Sequence, residues 1–331
     1  MGLDEVNSEL ASAIFEEANR LAVEVIAPLN WVGNEKGATL GENGVDETPG
    51  FSEAYAQMVE SGWCGLGFPE DWGGQGMPKV LATATDEIWQ SANLGFSLCT
   101  MLTHGAVEAL LTHGNEELQA VYLENLVSGE WTGTMCLTEP QAGSDVGAST
   151  SRAVERADGA YLISGEKIFI TGGEHDLAEN IIHLVLARTP DAPVGTKGLS
   201  LFIIPKIKVN PDGSLGEPND VYCNNIEEKM GIHGSPTCSL VFGQNDGCRG
   251  YLLGEECEGI KLMFHLMNAA RIEVGLPDLS PRAGGVRSRP LRTPDGIFVC
   301  GDHRTHGSIE GAIESGLAAA NAVRRDLGAT A

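Results

Sequence analysis

The chain has 331 residues, room for two or three domains, and 42% of them are apolar, enough to build real cores. Its 46 acidic residues against 21 basic ones leave a formal net charge of -25, which repels nucleic acid and anionic membrane and excludes both as expected partners. No signal peptide opens the sequence, no apolar run approaches membrane-spanning length, and the eight cysteines form no C-x-x-C pair, so a cytoplasmic protein with reduced thiols is expected.

In chain order, Leu10, Ile14, Leu21 and Val25 recur near helical spacing, which predicts a helix from Glu5 to about Asn30 with Pro28 as its stop. Phe51, Tyr55, Met58 and Val59 predict a second, ended by Gly62. A third is predicted over 80–112, and a fourth over 116–128 after Asn115 as cap. Residues 1–130 thus read as an N-terminal helical domain.

From Trp131 the texture changes to short segments rich in β-branched and aromatic residues, "AYLISGEKIFIT", "IIHLVLAR" and "GLSLFIIP", punctuated by Gly, Pro, Asp and Asn. Residues 131–255 read as a β-domain, with 205–228 as a polar surface excursion between strands. Residues 256–276 read as one helix, with Ile260, Met263, Phe264, Met267, Ala270 and Val274 on one apolar face that needs partner helices. At 277–291 prolines, paired glycines and arginines mark a linker or seam, and 292–331 read as a turn, a strand and a helix. The fold class expected is α+β.

Two stretches carry candidate chemistry. "MCLTEPQAGSDVG", Met135 to Gly147, is a strand running into a loop whose small residues expose backbone N–H groups suited to a phosphate or an electron-rich ring edge; plain turn chemistry uses the same residues. In "SGEKIFITGGEHD", Phe169 and Thr171 are two apart on a strand and share a face, so ring and hydroxyl offer a stacking surface and a hydrogen bond to one planar ligand. The alternative is a core Phe beside an ordinary strand Thr.

The ordered set "LTEPQAGSD", "GEKIFITGG", "EKMGIHGSPTC" and "FHLMNAARIEVGL", spread over about 275 residues, resembles the acyl-CoA dehydrogenase family of flavoproteins. The "GEHD" and the insertion "NPDGSLGEPNDVYCNNIE" further resemble the branch that includes 3-methylthiopropanoyl-CoA dehydrogenase. The resemblance implies an N-terminal helical domain, a middle antiparallel β-domain and a C-terminal four-helix domain, with FAD and acyl-CoA as ligands and electron-transfer flavoprotein as a partner. It implies that Met135, Leu137 and Thr138 lie along the flavin, Gly143 and Ser144 near its pyrophosphate, Phe169 against the ring system and Thr171 bonded to the reactive nitrogen. Asn268 and Arg271 would face the pantetheine and the mouth of the site. The family's reaction removes a proton beside the thioester while hydride leaves the neighbouring carbon for FAD.

The pattern is departed from at the base. After the first helix of the last domain the resemblance stops, and with it the usual base and the helices of the family's homo-oligomer interface. The minority position, immediately before Arg271, is Ala270, while Glu273 points about 200° away from the arginine. The catalytic residue is therefore left unassigned. "DGIFVCGDHRTHGSIEGAIESGLAAANAV" resembles instead the C-terminal FAD-binding segment of the flavin amine oxidase and phytoene desaturase superfamily, which implies FAD contacts at Gly301, Asp302, Ser308, Gly311 and Ala312. His303 and His306 lack a third metal ligand, so no metal is expected, and Ser144 lacks a nucleophile elbow. His175 carries no role derived from spacing. The expectation is an FAD-dependent acyl-CoA dehydrogenase; the alternative is an inactive truncated or fused remnant.

Overall fold

The computed structural model describes residues 6–42 and 44–279. Helix α1 (Ser8–Leu21) is capped by Asn7, whose Oδ1 accepts from the Leu10 N–H at 2.8 Å. Pro28 does not stop the helix as expected. The chain continues through a π-helical turn, Ala22–Ile26, and Pro28, at φ -59°, opens α2 (Leu29–Glu35). Proline has no backbone N–H, and the first turn of a helix does not need one, so it starts a helix as readily as it ends one.

A hairpin of β1 (Thr39–Gly41) and β2 (Gly44–Asp46) leads to α3 (Phe51–Glu60), which ends at Gly62 with φ 74°. The single helix expected over 80–112 is three: α4 (Lys79–Ala92), α5 (Leu94–Thr100) and α6 (Leu102–His113). Asn93 causes the first break, taking an extended φ of -160° and turning its Oδ1 onto the Phe96 N–H at 3.1 Å as the cap of α5. Helix α7 (Glu116–Ser128) starts at the expected cap, Asn115 Oδ1 accepting from the Leu118 N–H at 2.8 Å. Leu94–His113 is, contrary to expectation, long and apolar enough to cross a membrane, but 67% of its apolar window is buried inside this fold.

The second domain is one eight-stranded sheet in the order β10-β11-β5-β12-β7-β6-β3, with β4 beside β5. Its strands are β3 (Trp131–Cys136), β4 (Arg152–Glu155), β5 (Tyr161–Thr171), β6 (Asn180–Ala187), β7 (Ser200–Pro205), β10 (Val221–Ile226), β11 (Thr237–Phe242) and β12 (Arg249–Leu253). Pairing is antiparallel except between β3 and β6, which run parallel. The polar excursion is more ordered than its composition suggested: β8 (Ile207–Val209) and β9 (Leu215–Pro218) form a hairpin, and β10 joins the main sheet. Gly213, at φ 84°, makes that hairpin turn.

Helix α8 (Gly259–Leu279) follows. Its buried face is Leu262, Met263 and Leu266, with the carboxylate of Glu273, while Phe264, Ile272 and Val274 are exposed. The face expected from periodicity is thus rotated: Met263 is covered, and Phe264 and Val274 are not. Partner helices do exist, because α6 and α4 from the N-terminal domain pack on α8. Contact is tight at Gly105 of α6, where a Cβ would lie 3.1 Å from the Leu266 Cα.

One core therefore runs through three stretches that sequence texture had kept apart. Ala106, Leu110, Leu123 and Trp131 join Ile182, Leu184, Leu201 and Ile203 on one face of the sheet, and Leu262, Met263 and Leu266 close it. The other face of the sheet holds a second core that includes Cys136, Ile163, Ile170, Val185, Phe202 and Leu240. Each fully buried aliphatic side chain contributes about 1.5–3 kcal/mol, so the three from α8 dock that helix firmly.

Candidate functional site: an open shelf on the sheet

Strand alternation places the expected flavin residues on one face. Cys136 and Ile170 point into the second core, so their neighbours Met135, Leu137, Phe169 and Thr171 point the other way, towards the face that carries α6 and α8. Gly133, on the same face, lets α6 approach: a Cβ there would meet the Ala106 Cβ at 2.5 Å. Beyond Cys136 the chain stays beside β5, with the Ile168 N–H donating to the Thr138 carbonyl at 2.8 Å. Met135, Leu137, Phe169 and Thr171 thereby share one shelf, and the Thr138 backbone runs beside β5 at its edge.

Phe169 is the outlier that marks it. Its side chain is 58% exposed, and its backbone takes φ 60°, a region bulky residues avoid. The cause is a bulge: Cys238 pairs with Ile170 but Leu240 pairs with Lys167, so two residues of β5 face Ser239 alone. An exposed, strained aromatic on an ordered sheet offers a surface on which a planar partner can stack. The Thr171 hydroxyl beside it donates to no protein acceptor among the described residues.

The loop after β3 is held by a buried ion pair that sequence reasoning passed over. Glu139 accepts at Oε1 from Lys167 Nζ (2.8 Å) and the Ser151 N–H (3.1 Å), and at Oε2 from the Thr150 N–H (2.7 Å), the Thr150 hydroxyl (3.0 Å) and Gln141 Nε2 (2.7 Å). Lys167 also donates to the Leu137 carbonyl at 3.0 Å. Burial pushes the Glu139 pKa up, but the Lys167 charge and these donors outweigh it and hold it at about 2. Arg188 fastens the far side of the loop, donating to the carbonyls of Gly147, Ser149, Pro193 and Gly195. Between these anchors Gly143 and Ser144 are exposed, and their N–H groups have no protein acceptor among the described residues. A loop anchored on both sides that presents free N–H groups can receive an anionic group.

His175 is structural. It is buried, its Nδ1 accepts from the Leu177 N–H at 3.2 Å and its Nε2 donates to the Thr132 hydroxyl at 2.9 Å. Burial, then the Lys206 charge, push its pKa down to about 3, so it stays neutral. Asn268 and Arg271 are adjacent on α8: Arg271 Nη1 donates to Asn268 Oδ1 at 3.1 Å and its guanidinium lies 5.9 Å from the Phe264 ring centre. They occupy the exposed face of α8, and Glu273 the buried one, where it bonds His104 Nδ1 at 3.0 Å. Gly301, Asp302, Ser308, Gly311, Ala312, His303 and His306 lie outside the described residues.

Known proteins share this fold. Residues 9–130 match the acyl-CoA dehydrogenase N-terminal domain model and residues 134–244 the middle domain model. Over these two domains the chain belongs to the acyl-CoA dehydrogenase family. Residues 276–324 match a different model, flavin containing amine oxidoreductase. The chain is 47% identical over 272 residues to 3-methylmercaptopropionyl-CoA dehydrogenase of Ruegeria pomeroyi, a match covering 82% of this chain and 46% of that protein. It is 40% identical to a butyryl-CoA dehydrogenase of Syntrophomonas wolfei, covering 83% and 45%. The chain thus spans about half the length of the curated relatives it matches. Among solved structures, butyryl-CoA dehydrogenase from Megasphaera elsdenii superposes with TM-score 0.67 at 26% identity, covering 85% of this chain and 67% of that one. An acyl-CoA dehydrogenase complexed with FAD from Bacillus anthracis superposes with TM-score 0.64 at 26% identity, covering 85% and 44%.

Proposed function

We propose that this chain carries the flavin-binding half of an FAD-dependent acyl-CoA dehydrogenase, acting on a short acyl-CoA of the 3-methylthiopropanoyl type. The observation that carries the reading is the exposed, strained Phe169 beside the unpaired Thr171 hydroxyl. Met135, Leu137, Thr138, Phe169 and Thr171 would hold the ring system of FAD, and the free N–H groups of Gly143 and Ser144 its pyrophosphate. FAD, when bound, supplies the hydride acceptor. Phe169 and Met135 exclude water from one side of that acceptor. Asn268 and Arg271 receive the acyl-CoA, their side-chain N–H groups donating to the polar oxygens of its uncharged pantetheine arm. Electron-transfer flavoprotein is the proposed acceptor of the electrons, a homo-oligomer the proposed assembly and the cytoplasm the proposed location.

A second reading rests on α8. Position 270, before Arg271, is alanine, and Glu273 is turned away and engaged by His104. On this reading the chain binds flavin or acyl-CoA and does not abstract the proton. An anaerobic titration of the FAD-loaded chain with 3-methylthiopropanoyl-CoA separates the two. Loss of the visible flavin bands supports dehydrogenation; a spectral shift without bleaching supports acyl-CoA binding alone; no spectral change contradicts both dehydrogenation and acyl-CoA binding beside the flavin.

A further inference from the structure

Away from the shelf, α4, α6 and α8 bring one chemistry-bearing side chain each to a single point. Asp86, His104 and Glu273 each offer a potential ligand atom, and these atoms lie within 4.8 Å of one another. His104 Nδ1 is 3.0 Å from Glu273 Oε1, and the His104 ring is steadied by the edge of Phe68, 5.5 Å between ring centres. Glu273 is 7% exposed. The Asp86 carboxylate has no hydrogen-bond donor among the described residues. All three face a cavity of about 100 Å³ that Thr85, Glu108 and Cys64 also line. One probe-sized water needs roughly 10–15 Å³, so the cavity has space for an ion with its remaining water ligands.

The charge count at this point is uneven. Two carboxylates face one imidazole, and Lys79, which also lines the cavity, is taken by Glu108. An imidazole with two carboxylates is a donor set for Zn²⁺, Mn²⁺, Fe²⁺ or Co²⁺, and waters from the cavity would complete the shell. We propose that Asp86, His104 and Glu273 form a divalent-cation site that ties α8 to α4 and α6. The cation takes the place of the proton shared by His104 and Glu273, which is released to solvent. Its role is positional: by fixing the buried face of α8 it sets the opposite face, where Asn268 and Arg271 sit. The proposal does not depend on the flavin reading.

Co²⁺ is the probe of choice, because nitrogen and oxygen ligands give visible ligand-field bands and thiolates add an intense charge-transfer band, and the described residues include seven free cysteines. The expected result is uptake of one Co²⁺ per chain with ligand-field bands and no thiolate band. Asp86→Asn keeps the His104–Glu273 pair and so the docking of α8, checked by circular dichroism; it should weaken Co²⁺ at least about tenfold. Glu273→Gln should do the same. Stoichiometric uptake that Asp86→Asn leaves unchanged, uptake with a thiolate band, or no uptake with Co²⁺ or Mn²⁺ in excess would each overturn the site.

Discussion

Replacing Lys167 by methionine tests how the loop after β3 is held. The side chain is fully buried and donates to Glu139 at 2.8 Å and to the Leu137 carbonyl at 3.0 Å. Methionine fills similar volume but leaves the Glu139 carboxylate inside the protein without its counter-charge. The distance between a folded pKa of about 2 and the ordinary 4.5 corresponds to about 3 kcal/mol of stabilisation of the ionised Glu139. Burial also holds the Lys167 ammonium below its usual pKa, more strongly than Glu139 raises it, which offsets part of that gain. A loss of about 3 kcal/mol is therefore expected, at the low end of the 3–5 kcal/mol for breaking a buried pair. Because the Glu139 pKa is depressed in the folded state, its contribution is present above pH 4.5 and disappears as the pH falls towards 2. In Lys167→Met the acid limb of stability should move to higher pH. Urea unfolding at pH 7 and pH 4 measures both effects, and Lys167→Met with Glu139→Gln should recover most of the loss. A single variant within about 0.5 kcal/mol of the parent, or a double variant no better than the single, would refute the reasoning.

Leu266→Ala should destabilise by about 2–5 kcal/mol in urea, because Leu266 is 1% exposed between α6, α8 and the sheet. Phe169→Gly removes the shelf's aromatic and also a bulky residue at φ 60°; stability without flavin should change by under about 1 kcal/mol, while FAD affinity in a fluorescence titration falls at least about tenfold. Burial lowers the His104 pKa, but Glu273, with Asp86 and Glu108, raises it to about 9, so the ion pair stabilises fully below pH 6.5 and is lost as the pH rises through 9. Melting temperature in metal-free buffer should fall between pH 7 and pH 10 more steeply for the parent than for His104→Gln.

Local signals in the sequence were read correctly where a single residue decides the outcome. Asn115 caps α7, Gly62 ends α3, and the β-branched segments became β5, β6 and β7. Errors arose where two residues compete or where the partner is distant. Pro28 can end or open a helix, and only the packing of Ala22 and Ile26 against α4 decides for the second. Asn93 inside an apolar run was outvoted by periodicity, although its side chain both breaks α4 and caps α5. The shelf was legible as a motif because Phe169 and Thr171 are two residues apart on one strand. The Glu139–Lys167 pair, 28 residues apart, and the Glu273–His104 pair, 169 apart, were not, since no spacing rule links residues on different strands or helices.

Visible absorption and flavin fluorescence of the purified chain titrated with FAD test the central claim most directly. The account predicts a saturable complex of one FAD per chain, with flavin fluorescence quenched against Phe169 and Met135 and the complex weakened by Phe169→Gly and Thr171→Val. A chain that stays colourless with FAD in excess, or that binds FAD equally well in both variants, would contradict the placement of the flavin on this shelf.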